Sequence, residues 1–233
     1  MVAQDVGLAL PRGVRYALIG PNGAGKTTLI NLLTGMVRPD SGRIFLGDEE
    51  LTALKPHQRV RRGLARTFQI NTLFPHLTAL ESVTLAVLER ENGSRVWWKS
   101  LPSYGEAIDE AHSILTSLNL KEISQKQTKE LAYGQQRLLE IALALATRPK
   151  VLLLDEPAAG VPKGESAELF SVIAGLSQDL TVLFIEHDME VVFRFASRIL
   201  VMVGGRLLVE GTPDEISRDE RVREVYLGRR HAA

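Results

Sequence analysis

The chain contains no cysteine. Disulfides and thiolate metal sites are excluded, and the composition fits a reducing compartment. It also lacks a charge excess: 28 basic side chains stand against 28 acidic ones. No global field therefore draws it to nucleic acid or to an anionic membrane. The N-terminus, MVAQDVGLALPRG, has no basic segment followed by a long apolar run, so no signal peptide is legible. The longest apolar stretches, such as LLEIALALA, are too short to cross a bilayer. These absences predict a cytosolic protein, which leaves room for docking against a membrane partner. Internal repeats and low-complexity tracts are missing as well.

The 233 residues, 45% hydrophobic and 24% charged, suffice for one large domain with a sizeable core. VRYALIG reads as a buried strand, followed by a glycine-rich turn and the helix KTTLINLLTGM. GRIFLGDEEL reads as a further strand and turn. From Pro75 to about Ala146 the pattern is mostly helical. KVLLLDEP and LTVLFIEHD read as buried strands with the helix SAELFSVIAGLS between them. RILVMVGGRLLVEG predicts a hairpin turning at Gly204-Gly205, and PDEISRDERVREVYLG predicts one closing helix. The fold class is therefore α/β: a P-loop mixed-sheet core with an inserted helical subdomain and a small antiparallel part. The core is expected to comprise 1–69 and 147–233, sharing one sheet, with 70–146 as the insertion.

Gly20-Pro21-Asn22-Gly23-Ala24-Gly25-Lys26-Thr27-Thr28 fits G-x-x-x-x-G-K-[ST] between a strand and a helix. Glycines let successive backbone N–H groups curl around phosphate oxygens, and the helix start adds positive potential. Lys26 is expected to reach the β- and γ-phosphates of ATP, and the Thr27 hydroxyl to ligate Mg²⁺. Asp155 and Glu156 end a buried strand. Asp155 fits the Mg²⁺ carboxylate of such a site, and Glu156 the base that orients the attacking water. A third apolar strand delivers His187, with Glu186 and Asp188 beside it, where it can contact the γ-phosphate; a structural histidine is the competing reading. Gln69, an amide where the α/β part gives way to helices, carries the same ambiguity.

LAYGQQ, from Leu131, sets a glycine and two amides where a helix begins. Together with the phosphate loop, Gln69, VLLLDE and His187, in this order, it resembles the ATPases of ABC transporters. The resemblance covers nearly the whole chain. It makes Gly20 to Thr28 the Walker A loop, Gln69 the Q-loop residue and a Mg²⁺ contact, Val151 to Glu156 Walker B, and His187 the switch histidine. Ala132, Tyr133, Gly134 and Gln135 fall in the signature, which in such proteins contacts the nucleotide of a second, head-to-tail subunit. Ala132 stands where the commoner signature has serine, so backbone N–H groups and Gln135 have more to do.

ARTFQ, LAYGQQR, LLLDEPAAG and IEHDM look like the ATP-binding subunits of branched-chain amino-acid importers; the signature tyrosine and PAAG are the most telling. The resemblance implies a homo- or hetero-dimer of ATPase subunits, two integral membrane permease subunits, an extracytoplasmic solute-binding protein, and residence at the cytoplasmic face. It implies no nucleic-acid partner. Two departures stand out. Family members usually carry an adenine-stacking aromatic on an upstream strand, whereas nothing before Tyr16 is aromatic; either the chain starts downstream of its natural start or adenine is held less specifically. Residues 160–165 also lack the expected Asn-Pro. The basic cluster from His57 to Arg66 reads as a solvated turn and helix edge, and Trp97-Trp98 as packing within the helical lobe rather than a membrane-partner contact. Two other readings compete: a soluble ABC ATPase acting on nucleic acid or the ribosome, and a module that binds ATP without splitting it.

Overall fold

The computed structural model describes residues 3–67, 73–91 and 104–227. In chain order the elements are β1 (Arg15–Ile19), α1 (Lys26–Thr34), β2 (Phe45–Leu46), β3 (Glu49–Glu50), α2 (Pro56–Arg62), β4 (Leu64–Arg66), α3 (Ala79–Arg90), α4 (Gly105–Ser117) and α5 (Tyr133–Leu145). Then come β5 (Val151–Asp155), α6 (Lys163–Ala174), β6 (Thr181–Ile185), α7 (Met189–Phe195), β7 (Arg198–Val203), β8 (Arg206–Gly211), α8 (Pro213–Arg218) and α9 (Glu220–Leu227).

One six-stranded sheet in the order β4-β5-β6-β1-β7-β8 organises the molecule. The first five strands run parallel and β8 is antiparallel to β7. The N- and C-terminal parts share this sheet, as expected. Every residue of β1 and β6 is buried, which explains why both read as unbroken apolar runs rather than alternating ones. Alternate side chains serve two cores. Tyr16 and Leu18 face Leu29 and Ile30 of α1; Ala17 and Ile19 face the layer of Phe170, Ile173 and Val192 from α6 and α7. The predicted hairpin is present: Val203 pairs with Arg206 across Gly204 and Gly205, with φ of 55° and 84°, the backbone of a type I′ turn. A two-residue hairpin, β2–β3, makes the small antiparallel part.

Between 73 and 145 the described residues form α3, α4, α5 and two short 3₁₀ turns. Thr78 and Glu81 close a capping box on α3, with hydrogen bonds of 3.1 and 2.7 Å. Glu110 of α4 accepts bonds from Arg90 of α3 and from Arg148 beyond α5, which pins the three helices together.

Three expectations change. The closing helix is two: Asp219 is extended and caps α9 through the Arg221 N–H at 2.9 Å. β4 was not foreseen; its three residues carry too little pattern to register as a strand. The basic cluster is not simply solvated. Arg59 is 1% exposed and donates to the carbonyls of Leu32, Leu33, Thr52 and Leu54, thereby capping the C-terminus of α1. Arg66 also turns inward, while His57, Arg61 and Arg62 stand on the surface of that segment. Trp97 and Trp98 lie outside the described residues.

Candidate nucleotide site

The register of three neighbouring strands assembles the site. Leu18 of β1 and Asp155 of β5 both pair with Ile185 of β6, so the three strands end at one level. The phosphate loop, the Asp155-Glu156 pair and the Glu186-His187 pair thus emerge side by side at the carboxyl edge of a parallel sheet, where open α/β sheets bind ligands.

Gly25 begins α1 in the left-handed region, φ 98°, with no side chain capping the first turn. The N–H groups of that turn are left for a ligand, and the helix dipole favours an anion there. Lys26 is 7% exposed; its Nζ donates to the Gly20 and Pro21 carbonyls at 2.8 and 3.2 Å. Burial lowers its pKa, and the charges of Glu156 and Asp155 oppose that shift. An ammonium facing uncapped helix amides is the donor set a polyphosphate requires, so the cradle fits ATP. Thr27 is exposed at the start of α1 and Thr28 half-buried. Among the described residues no cluster of three or more His, Cys, Asp or Glu forms a protein-only metal site, as suits an ion shared between a hydroxyl, one carboxylate and phosphates.

Asp155 is buried and ion-paired at 2.7 Å with Arg66, whose other η-nitrogen donates to Asn31 Oδ1 of α1 at 2.7 Å. Glu156 sits at φ 51°, unusual for a non-glycine residue and typical of functional sites. That backbone turns its carboxylate away from Asp155, and Oε1 lies 2.9 Å from His187 Nε2. Glu186 is buried and accepts the N–H groups of Ala158 and His187 at 3.0 and 3.3 Å. Burial raises its pKa. It fixes the loop after Glu156 to the loop bearing His187.

Across the helical part, α5 opens at Tyr133 with Ala132 as its N-cap. The Gln135 side chain folds back to accept the Ala132 N–H at 3.0 Å, and Gln136 donates to the Leu131 carbonyl at 2.9 Å. Gln135 therefore spends its amide oxygen on its own helix, and its amide NH₂ remains for a phosphate. Gln69 lies outside the described residues. Tyr16 is 1% exposed and bonds Glu210 through its hydroxyl at 3.1 Å, so it offers adenine no ring face. Sequence reasoning missed Arg66 and Glu186. ARTFQ and IEHD held them in plain view, but an arginine in a basic run and a glutamate beside a histidine carry no spacing signal.

Fold and site together define a P-loop ATPase. The ABC transporter family model matches residues 3–159, and the branched-chain amino acid ATP-binding cassette transporter model matches 206–232. The chain is 40% identical, over 98% of its length and 92% of the relative's, to the high-affinity branched-chain amino acid transport ATP-binding protein LivG of Escherichia coli K12. It is 42% identical, with the same coverage, to BraF of Pseudomonas aeruginosa, which carries the same description. The crystal structure of a nucleotide-free ATP-binding cassette from an ABC transporter superposes with a TM-score of 0.83 at 31% identity, covering 97% of this chain and 92% of that one. The chain belongs to the ABC transporter family and is an ABC-type ATPase. These relatives lend the nucleic-acid alternative no support.

Proposed function

We propose that this chain hydrolyses Mg·ATP between two ATPase subunits and thereby powers import of branched-chain or closely related amino acids. The observation that carries the reading is the convergence of Lys26, Asp155, Glu156 and His187 at three adjacent strand ends, in a chain that matches branched-chain transport ATPases along its whole length. The α1 amides and Lys26 bind the phosphates. Thr27 and Asp155, with Gln69, would hold Mg²⁺, which supplies charge neutralisation on the phosphoryl oxygens. Arg66 takes one oxygen of Asp155 and fixes its orientation. Glu156 accepts the proton of the attacking water, and His187 keeps that carboxylate in line.

Residues 131–135 are read as the signature offered to the second subunit's γ-phosphate, and 70–146 as the subdomain that carries it. Two permease subunits would dock there: Phe74 and Leu85 leave large apolar side chains 64% and 48% exposed. No helix among the described residues is long and apolar enough to span a membrane; attachment at the cytoplasmic face would come through the permease subunits. An extracytoplasmic solute-binding protein would select the cargo. The test is reconstitution with the co-purifying permease in liposomes. Hydrolysis stimulated by leucine-loaded binding protein supports the reading. Stimulation only by other loaded binding proteins would change the solute, and the absence of any permease would sink the transport role.

A further inference from the structure

Tyr133 and Gly160 marked the subtype in the sequence, and the folded chain brings them into contact. Gly160 follows Walker B at φ 79°. A methyl group on its α-carbon would lie 3.1 Å from the Cε1 and Oη atoms of Tyr133, so a larger residue would press the ring back by a few tenths of an ångström and would itself be strained at that φ. Arg137, one turn along α5 and nearly buried, donates to Tyr133 Oη at 2.8 Å and to the Ala159 carbonyl at 3.4 Å. Its guanidinium also lies 5.1 Å from the tyrosine ring centroid, within cation–π range. Glu140 holds it from the far side at 2.9 Å. The first turn of α5 is thereby clasped to residues 159–160. The same loop is tied back to the catalytic group, because the Ala159 N–H donates to the Glu156 carbonyl at 3.0 Å and the Ala158 N–H to Glu186.

We propose that Tyr133 is a positioning residue that couples the two nucleotide sites of the assembled ATPase through the body of each subunit. This rests on the sandwich reading above. In that arrangement α5 serves the second subunit's nucleotide and Glu156 serves its own. The clasp makes them one rigid piece, so a phosphate seated on the signature of a subunit sets the loop that carries its Glu156. Gly160 is the seat of the ring and Arg137 the bolt on its hydroxyl. Just beyond the clasp, Pro162 is the N-cap of α6, which opens at Lys163.

The test uses the permease-assembled ATPase and four variants: Y133F, Y133S, G160A and Y133S/G160A. Hydrolysis is measured against ATP concentration, and nucleotide affinity of the full chain is measured separately. Y133S is expected to lower kcat about tenfold and to bring the Hill coefficient toward one, while the nucleotide Kd of the single chain stays within about twofold. Y133F, which keeps the ring, should fall between. G160A should cost at least as much as Y133S, because its β-carbon meets the ring and also sits at φ 79°, and the double variant should cost less than the product of the two, because the clash vanishes with the ring while the backbone strain stays. Multiplying defects in the double variant would overturn the proposal. So would a Kd that worsens in step with kcat, since a general loss of structure does that. A control separates the two readings. If Glu156→Gln chains with an intact clasp show no ATP-dependent pairing, the sandwich itself fails and takes the coupling with it; if they pair and Y133S leaves cooperativity untouched, only the clasp is wrong.

Discussion

Replacing Arg59 by methionine keeps the apolar stem and removes the guanidinium from a site 1% exposed. Four carbonyls lose this donor: Leu32 and Leu33 at 2.7 and 2.6 Å, Leu54 and Thr52 at 3.0 Å; Leu32 keeps a second one, the Gly35 N–H at 3.2 Å. Two of the four close α1, where the dipole places negative potential, and no carboxylate among the described residues pairs with the charge. Burial lowers the pKa of Arg59, so its own desolvation already opposes folding. Its loss therefore relieves part of the cost. At about 1 kcal/mol net for each of the three carbonyls left without a second donor, less the relieved desolvation, the variant loses about 2–3 kcal/mol. For a chain of this size that lowers Tm by about 5–10 °C. Lysine should recover only part, because one ammonium cannot span four acceptors arranged for a planar fork. Thermal and denaturant unfolding followed by circular dichroism measure the effect. A loss below about 1 kcal/mol, the size of an ordinary surface substitution, would refute the capping argument.

Glu156→Gln should cut hydrolysis by about 10²–10³-fold and leave ATP binding intact, with His187→Ala somewhat milder; steady-state turnover beside nucleotide titration reads both. Arg66→Met leaves the buried Asp155 without its partner and should raise the Mg²⁺ concentration for half-maximal activity roughly tenfold while also lowering Tm; an unchanged Mg²⁺ profile would refute its role. Glu110 is held down to about 2 from an ordinary 4.5, first by the Arg90 hydrogen bond and also by Arg148. A depressed carboxylate contributes stability that is complete above its unfolded value and is lost as pH falls from about 4.5 toward 2. Glu110→Gln should therefore flatten that acid limb of the stability curve, which chemical unfolding at stepped pH would reveal.

The half of the site to which we assign the chemistry was legible because it is local: a glycine loop, a lysine and strand-terminal carboxylates are defined by spacing along one stretch. The sheet was legible because β1, β5 and β6 are buried on both faces and read as apolar runs. What escaped depends on contacts between distant stretches. Arg59 and Arg66 share a segment that looks uniformly basic, and only the position of α1 and Asp155 tells that one is a helix cap and the other a carboxylate's partner. Arg15, which donates to the Leu176, Ser177 and Leu180 carbonyls, was hidden in the same way. The division at Asp219 was lost because α8 and α9 continue one amphipathic pattern across a single extended residue.

With Glu156 in its proposed role, its left-handed backbone sets stability and activity against each other at one residue. Holding a side chain with a β-carbon at φ 51° costs on the order of 1 kcal/mol that glycine would not incur. A copy of this chain released from selection for hydrolysis would gain stability by drifting to glycine at exactly the position where turnover is lost. Libraries sorted for thermal tolerance alone should enrich that inactive substitution, so an active sequence here records continuing selection for work rather than for folding.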